Sequence, residues 1–321
     1  RSSVRGRRWM DVTGPGGGPR PRLVAMSIGR GRSLKELIEA GEQSFSFEFF
    51  PPKDEAGEEQ LWAAVRALEP YHPTFVSVTY GAGGSSRGTT VRVTRRMAQE
   101  TSLLPMAHLT CVGHTRAELE EILDEYAAAG VHHVMALRGD PEGGPRAEWT
   151  PTEGGLTYAS ELVEMVAARE DFRVGVAAFP EKHPSSPSLD HDADVLAAKA
   201  RAGAEFAVTQ MFFRAEDYVG LVERVRERGV DLPILPGIMP ILNLAAIRRQ
   251  GELIGTEVPT EVVDRIAAHD GDPVSMRAEG IALAAELCRD LLDAGAPGLH
   301  FYTLNRSKAT LEIFEKLDVR P

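Results

Sequence analysis

The sequence has little cysteine, no long apolar run and too few basic residues to balance its acids. Two cysteines in 321 residues, Cys111 and Cys288, exclude a disulfide framework, and their separation excludes a CxxC redox or zinc motif. A reducing, cytoplasmic setting is the resulting expectation. No stretch approaches the roughly 18 uninterrupted apolar residues of a membrane span, and no apolar h-region with a cleavage site opens the chain. Lys and Arg number 36 against 47 Asp and Glu, a net charge of −11. That balance excludes a generic nucleic-acid binder, which must displace phosphate counterions with a positive surface. Neither nucleic acid nor membrane is therefore expected as a partner. What is there is a globular composition, 43% hydrophobic and 26% charged, sufficient for a sizeable core.

The charge is uneven. Residues 1–33 carry eight arginines against one acid, Asp11, leaving −18 on the remainder. The same segment holds Gly14-Pro15-Gly16-Gly17-Gly18-Pro19, which cannot bury enough apolar surface to offset its ordering entropy. Residues 1–32 are accordingly expected to form a disordered Arg/Gly/Pro-rich tail ahead of one domain at 33–321. A transit peptide, a nucleic-acid arm and a translated leader before Met26 are the other readings of that composition.

From residue 44 onward, short β-branched and aromatic runs alternate with stretches of helical period. Strands are predicted at 44–50, 74–80, 105–111, 131–137, 172–179, 205–212, 232–236 and 298–303. Helices are predicted at 55–68, 87–100, 115–129, 157–169, 192–202, 215–228, 242–253 and 306–317, with extra ones at 260–268 and 276–294 before the last strand. Eight βα units point to a closed α/β (β/α)8 TIM barrel more than to an open sheet. Such a barrel does its chemistry at the C-terminal ends of its strands. Those ends supply Glu48, Thr79 and Tyr80, His108, Arg138-Gly139-Asp140, Phe179 with His183, Gln210, and Tyr302, Asn305 and Arg306.

Period-two alternation in Ser44–Phe50 places Ser44, Ser46 and Glu48 on one face and phenylalanines on the other. With the Phe face on the helices, Glu48 points into the barrel mouth, where burial should raise its pKa to that of a general acid. The alternative is a surface or arginine-paired glutamate. Arg138-Gly139-Asp140 combines a phosphate-binding fork with a glycine that permits close approach of a flat ligand, or else makes an ordinary turn. The loop Tyr80–Ser86 matches neither GxGxxG nor a P-loop, so any dinucleotide here is not held by a Rossmann fold. Asp190-His191-Asp192-Ala193-Asp194 admits a metal reading but fits the acid-rich start of a helix better. Lys199 reads as a solvated lysine unless a ligand phosphate reaches it.

As a set, the motifs resemble the bacterial single-domain type of the methylenetetrahydrofolate reductase family. They are Phe45–Pro52, Val76–Ala82, His108–Cys111, Ala136–Asp140, Phe179–Pro184, Thr209–Phe213, Pro236–Pro240 and His300–Arg306, in family order from about residue 33 to the end. The resemblance implies an FAD-bearing barrel that moves hydride from NADH or NADPH to 5,10-methylenetetrahydrofolate by ping-pong kinetics, with NADH ahead of NADPH. The product, 5-methyltetrahydrofolate, would supply methyl groups for methionine synthesis. No metal is implied, and association into a homo-oligomer is expected.

By resemblance, Glu48 is the general acid that protonates folate N10, and Asp140 is the carboxylate beside flavin and pterin. Thr79 falls at a nicotinamide contact, and Gln210 and Arg306 at folate-binding positions. Tyr80, Ala82, His108, Arg138, Gly139, Asp140, Tyr158, Ala159, His183, Asp192 and Lys199 fall at FAD positions. Two residues depart from the pattern: Phe179 replaces a tyrosine near the flavin, and Gln250 replaces an aromatic that stacks on folate in some members. The single-domain type lacks the regulatory domain of eukaryotic members, so inhibition by S-adenosylmethionine is not expected. Another flavin barrel, of the proline-dehydrogenase kind, and a non-catalytic flavin or folate binder are the competing readings. Neither gives Glu48 and Asp140 so direct a task.

Overall fold

A computed structural model describes residues 33–321 apart from 40–42, 81–86, 142, 145–146 and 256. The expected tail at 1–32 and Ala82 lie outside the described residues. Strands β1 (Ser44–Phe49), β2 (Phe75–Val78), β3 (Pro105–Thr110), β4 (His133–Leu137), β5 (Arg173–Ala178) and β6 (Phe206–Thr209) pair in parallel, each with the next. Two short pieces, β7 (Ile234–Leu235) and β8 (Gly237–Ile238), precede β9 (Gly298–Tyr302), which returns to pair with β1. Helices α1 (Leu34–Glu39), α2 (Glu55–Leu68), α3 (Arg87–Glu100), α4 (Arg116–Ala128), α5 (Ala159–Ala167), α6 (Leu189–Arg201) and α7 (Ala215–Glu227) come before β7. Helices α8 (Leu244–Ile254), α9 (Thr260–Ala267) and α10 (Pro273–Asp293) fall between β8 and β9, and α11 (Lys308–Lys316) closes the order. This is the expected α/β barrel, with its extra helices before the last strand.

Where one strand is predicted at 232–236, the structure has two short pieces on either side of Pro236, the second beyond the predicted end. Pro236 has no N–H to donate to a ladder, so β7 pairs only with β6 and β8 only with β9. These two pieces are the ends of the strand order, and one residue joins them, so the sheet closes on itself through Pro236. Side chains complete the seam. The Tyr302 hydroxyl donates to the Thr209 carbonyl at 2.6 Å, and the Gly237 N–H donates to Thr209 Oγ1 at 2.9 Å. A Cβ on Gly237 would stand 2.3 Å from that carbonyl and 2.7 Å from the Tyr302 ring, so no larger residue fits without movement.

Alternation along β1 works as its sequence implies. Phe47 and Phe49 are fully buried in the layer between strands and helices, Phe47 against Phe301 and Phe314. Each such side chain contributes about 1.5–3 kcal/mol on leaving water. The opposite faces of the strands fill the barrel, where Phe75, Met106, Met135, Phe206, Val208 and Leu235 pack with Leu34 and Ile38 of α1. Helix α1 therefore plugs the N-terminal end and leaves the C-terminal mouth for polar side chains.

Two helices start three residues earlier than predicted, in each case because of a cap. Ser188 accepts from the His191 N–H ahead of α6, and Asp272 accepts from the Val274 and Ser275 N–H groups ahead of α10, where Pro273 takes the first position.

Candidate active site

The register of three neighbouring strands determines what surrounds Glu48. Ser46 lies opposite His300, and Glu48 lies between Ser77 on β2 and Tyr302 on β9. Period two carries all of these side chains inward. Glu48 is 8% exposed, and its Oε2 is 3.4 Å from His108 Nε2, 3.6 Å from His300 Nε2 and 3.4 Å from the Ser77 hydroxyl that donates to it. His300 has no exposed surface, and its other ring nitrogen is hydrogen-bonded to Ser46 Oγ at 2.8 Å. Among the described residues, both Nε2 atoms are buried with no hydrogen-bond partner apart from the Glu48 carboxylate they face.

The expected rise in the Glu48 pKa is not what this arrangement produces. Burial pushes it up and is the largest single influence, but the His300 and His108 imidazoles and Ser77 together outweigh it. The carboxyl sits below its ordinary value. Burial moves His108 the other way, below the ordinary imidazole value. Burial and the Glu48 charge hold the Tyr302 hydroxyl well above its usual pKa, so it remains a donor to Thr209.

A second group gathers at the ends of β4 and β5. The Arg138 guanidinium lies over the Trp149 ring, 4.8 Å from its centroid, and its Nε donates to the Gly139 carbonyl at 3.3 Å. Gly139 has φ +81°, and a Cβ there would meet Val112 Cγ1 at 2.4 Å. Asp140 is exposed beside it. Lys199 is not the solvated lysine of the default reading. Its Nζ turns in to the Ala177 carbonyl at 3.2 Å, and burial pushes its pKa down to about 8 against the pull of Asp192. Asp192 accepts the His183 backbone N–H at 3.0 Å, while Asp190 and Asp194 both pair with Arg228. The acid run therefore serves the start of α6, as the helix reading holds. His183 is half-buried, held below the ordinary imidazole pKa by burial and the nearby Arg138, with the Phe179 ring edge-on at 4.7 Å.

The remaining predicted residues line the same rim. Thr79 follows β2, and Tyr80 is buried with its hydroxyl hydrogen-bonded to His114 at 3.2 Å and its pKa pushed up to about 12 by burial. Tyr158, 62% exposed, caps α5, whose first residue is the buried Ala159. Gln210 follows β6, its side-chain carbonyl accepting the Met211 N–H at 2.9 Å. Asn305 clasps both polar groups of the Phe50 backbone, at 2.8 and 2.9 Å, and leaves Arg306 exposed at the mouth. Sequence reasoning passes over His300, Ser77 and Trp149. The alternation in His300-Phe301-Tyr302 could have marked His300 as inward-facing; nothing in the sequence marks Trp149.

Known proteins give this geometry its context. The family pattern described as methylenetetrahydrofolate reductase matches residues 33–318. The chain is 37% identical to the 5,10-methylenetetrahydrofolate reductase of Pectobacterium carotovorum over 90% of this chain and 94% of that one. It is 36% identical to the Escherichia coli enzyme of the same name, over 90% and 95%. A longer relative, methylenetetrahydrofolate reductase (NADH) 1 of Arabidopsis thaliana, is 35% identical, and the match spans half of its length. Among solved structures, a Clostridium thermocellum protein that binds two copies of 5-methyl-5,6,7,8-tetrahydrofolic acid shares the fold at TM-score 0.62 and 13% identity, over 89% of this chain and 98% of that one. The match over nearly the whole barrel shows that the chain belongs to the methylenetetrahydrofolate reductase family of enzymes, which reduce methylenetetrahydrofolate to methyltetrahydrofolate.

Proposed function

We propose that this enzyme draws hydride from a nicotinamide nucleotide, NADH ahead of NADPH, and holds FAD as its resident cofactor. Its product would serve methionine synthesis. The observation that carries the reading is Glu48, a buried carboxylate within 3.4 Å of one imidazole and 3.6 Å of another at the open end of a barrel. Two plant relatives carry NADH in their names, which favours that donor.

The chemistry of the rim fits FAD. Among the described residues, Arg138 and Lys199 have no carboxylate within salt-bridge distance, and they are the cations a pyrophosphate needs. Tyr80, His108, Gly139, Asp140, Tyr158, Ala159, His183 and Asp192 would complete the cradle, with Thr79 toward the nicotinamide. FAD, when bound, would relay hydride from nicotinamide to folate. The protein's own part is orientation, exclusion of water and proton supply.

Gln210 and Arg306 would orient the folate, Arg306 by offering an exposed cation to its carboxylates. Asp140 would stabilise positive charge on the opened folate ring. Proton supply falls to Glu48. Its lowered pKa leaves it an ionised carboxylate while the mouth is wet. A bound substrate that excludes water adds to the burial that already pushes the carboxyl up, and so favours its protonated, neutral form. Glu48 would then be an acid when folate N10 needs a proton. His300, steadied by Ser46, and His108 flank the carboxyl and hold it in place.

The test is an absorbance spectrum of the purified protein, repeated after anaerobic addition of NADH and then of methylenetetrahydrofolate. A flavin spectrum that bleaches with NADH and returns with the folate is expected. A protein that takes up no FAD and oxidises no NADH would remove the flavin reading.

A further inference from the structure

Three arginines in the described residues stack on aromatic rings, and one of them differs from the others. Arg96 over Trp62 is also paired with Glu58 and Glu100, and Arg169 over Phe172 with Asp124 and Asp171. Arg138 over Trp149 has no carboxylate among the described residues. An aromatic partner acts on the flat face of a guanidinium and leaves its in-plane N–H donors free. A carboxylate would consume those donors.

Trp149 is itself held in place. The segment that carries it is tied to the start of α4 by the Gly113 N–H to Thr152 Oγ1 at 3.1 Å, the Arg116 N–H to the Gly154 carbonyl at 2.9 Å, and a bridge from Thr115 to Gly155. Its indole Nε1 is buried with no hydrogen-bond partner among the described residues. An unpaired buried N–H disfavours folding, so the residue's contribution lies in its ring face and not in its N–H.

We propose that Trp149 is a positioning residue for Arg138: its ring fixes the plane of the guanidinium, so that the fork stands ready for the diphosphate of a bound dinucleotide. The inference rests on the FAD reading above. A long arginine that is already ordered loses less freedom when its ligand arrives, so the stack acts on affinity through Arg138 without touching the ligand.

The experiment titrates the full-length chain, stripped of flavin, with FAD and separately with riboflavin, following flavin fluorescence. The parent is read first, and a parent that binds no FAD overturns both the flavin reading and this one. With binding established, Trp149→Ala should weaken FAD about five- to thirtyfold while leaving riboflavin unchanged. Trp149→Phe, which keeps a ring face, should stay within about threefold of the parent. Arg138→Gln should weaken FAD by itself, and Trp149→Ala added to it should cost less than about twofold more. The proposal is overturned if Trp149→Ala binds FAD as the parent does, if it weakens riboflavin equally, if Trp149→Phe is as weak as Trp149→Ala, or if the two effects add.

Discussion

Glu48→Gln is the perturbation that separates proton supply from everything else the barrel does. Glutamine has the same shape, keeps an acceptor for the Ser77 hydroxyl at 3.4 Å, and offers an amide N–H to an imidazole nitrogen that now lacks a hydrogen bond. The fold should therefore survive, with a stability change within about 2 kcal/mol. What is lost is an ionisable proton beside His108 and His300. A positioned general acid accounts for roughly 10²–10⁴ in rate, or about 3–5 kcal/mol of barrier. The oxidative half-reaction, in which the folate takes hydride and its N10 a proton, should slow by that factor. The reductive half-reaction with NADH needs no such proton and should stay within about threefold of the parent. Anaerobic stopped-flow absorbance reads the two separately. Parent-like reoxidation by methylenetetrahydrofolate would refute the acid assignment, and equal loss in both halves would assign Glu48 to holding the cofactor.

Three further outcomes follow from the same geometry. His300→Gln removes an imidazole that lowers the Glu48 pKa, so burial is less opposed and the pKa rises. The fall in folate reduction with increasing pH should then move to higher pH, and an unshifted profile would count against the pairing. Gly139→Ala adds a Cβ 2.4 Å from Val112 Cγ1 at φ +81°. It should lose about 1–3 kcal/mol by chemical denaturation, together with cofactor affinity, whereas parent-like stability would contradict the strained turn. His133 is held down to about 4 by burial, aided by His132 and Arg173, against an ordinary 6.5. Because its folded pKa is depressed, the stability it contributes is complete above about pH 6.5 and is lost as pH falls toward 4, about 3 kcal/mol in all. Unfolding free energies measured at pH 7 and pH 4 should therefore fall further for the parent than for His133→Phe, and equal slopes would exclude His133 as the cause.

Much of the architecture was legible because it depends on local periodicity. Alternation along Ser44–Phe49 separates a phenylalanine face from a serine and glutamate face whatever the partners are, and β1 buries those faces as the pattern requires. The rim residues were legible for a related reason: once strands are located in a parallel barrel, their last residues share one end. The helix starts at Leu189 and Pro273 lie ahead of the apolar period because the caps Ser188 and Asp272, with Pro273 at the first position, set where the helix begins.

The eightfold alternation, the inward face that bears Glu48 and the choice of rim side chains each follow from spacing within a few residues of chain. Tertiary structure alone decided what meets across the barrel. Ser46 finds His300 at a separation of 254 residues, and Tyr302 closes the seam at Pro236 by reaching Thr209. The direction of the Glu48 pKa belongs to the same class. Burial of a carboxylate can be inferred from a strand, but imidazoles from two other strands reverse its effect, and Coulomb and hydrogen-bond forces depend on distances that only the closed sheet brings about.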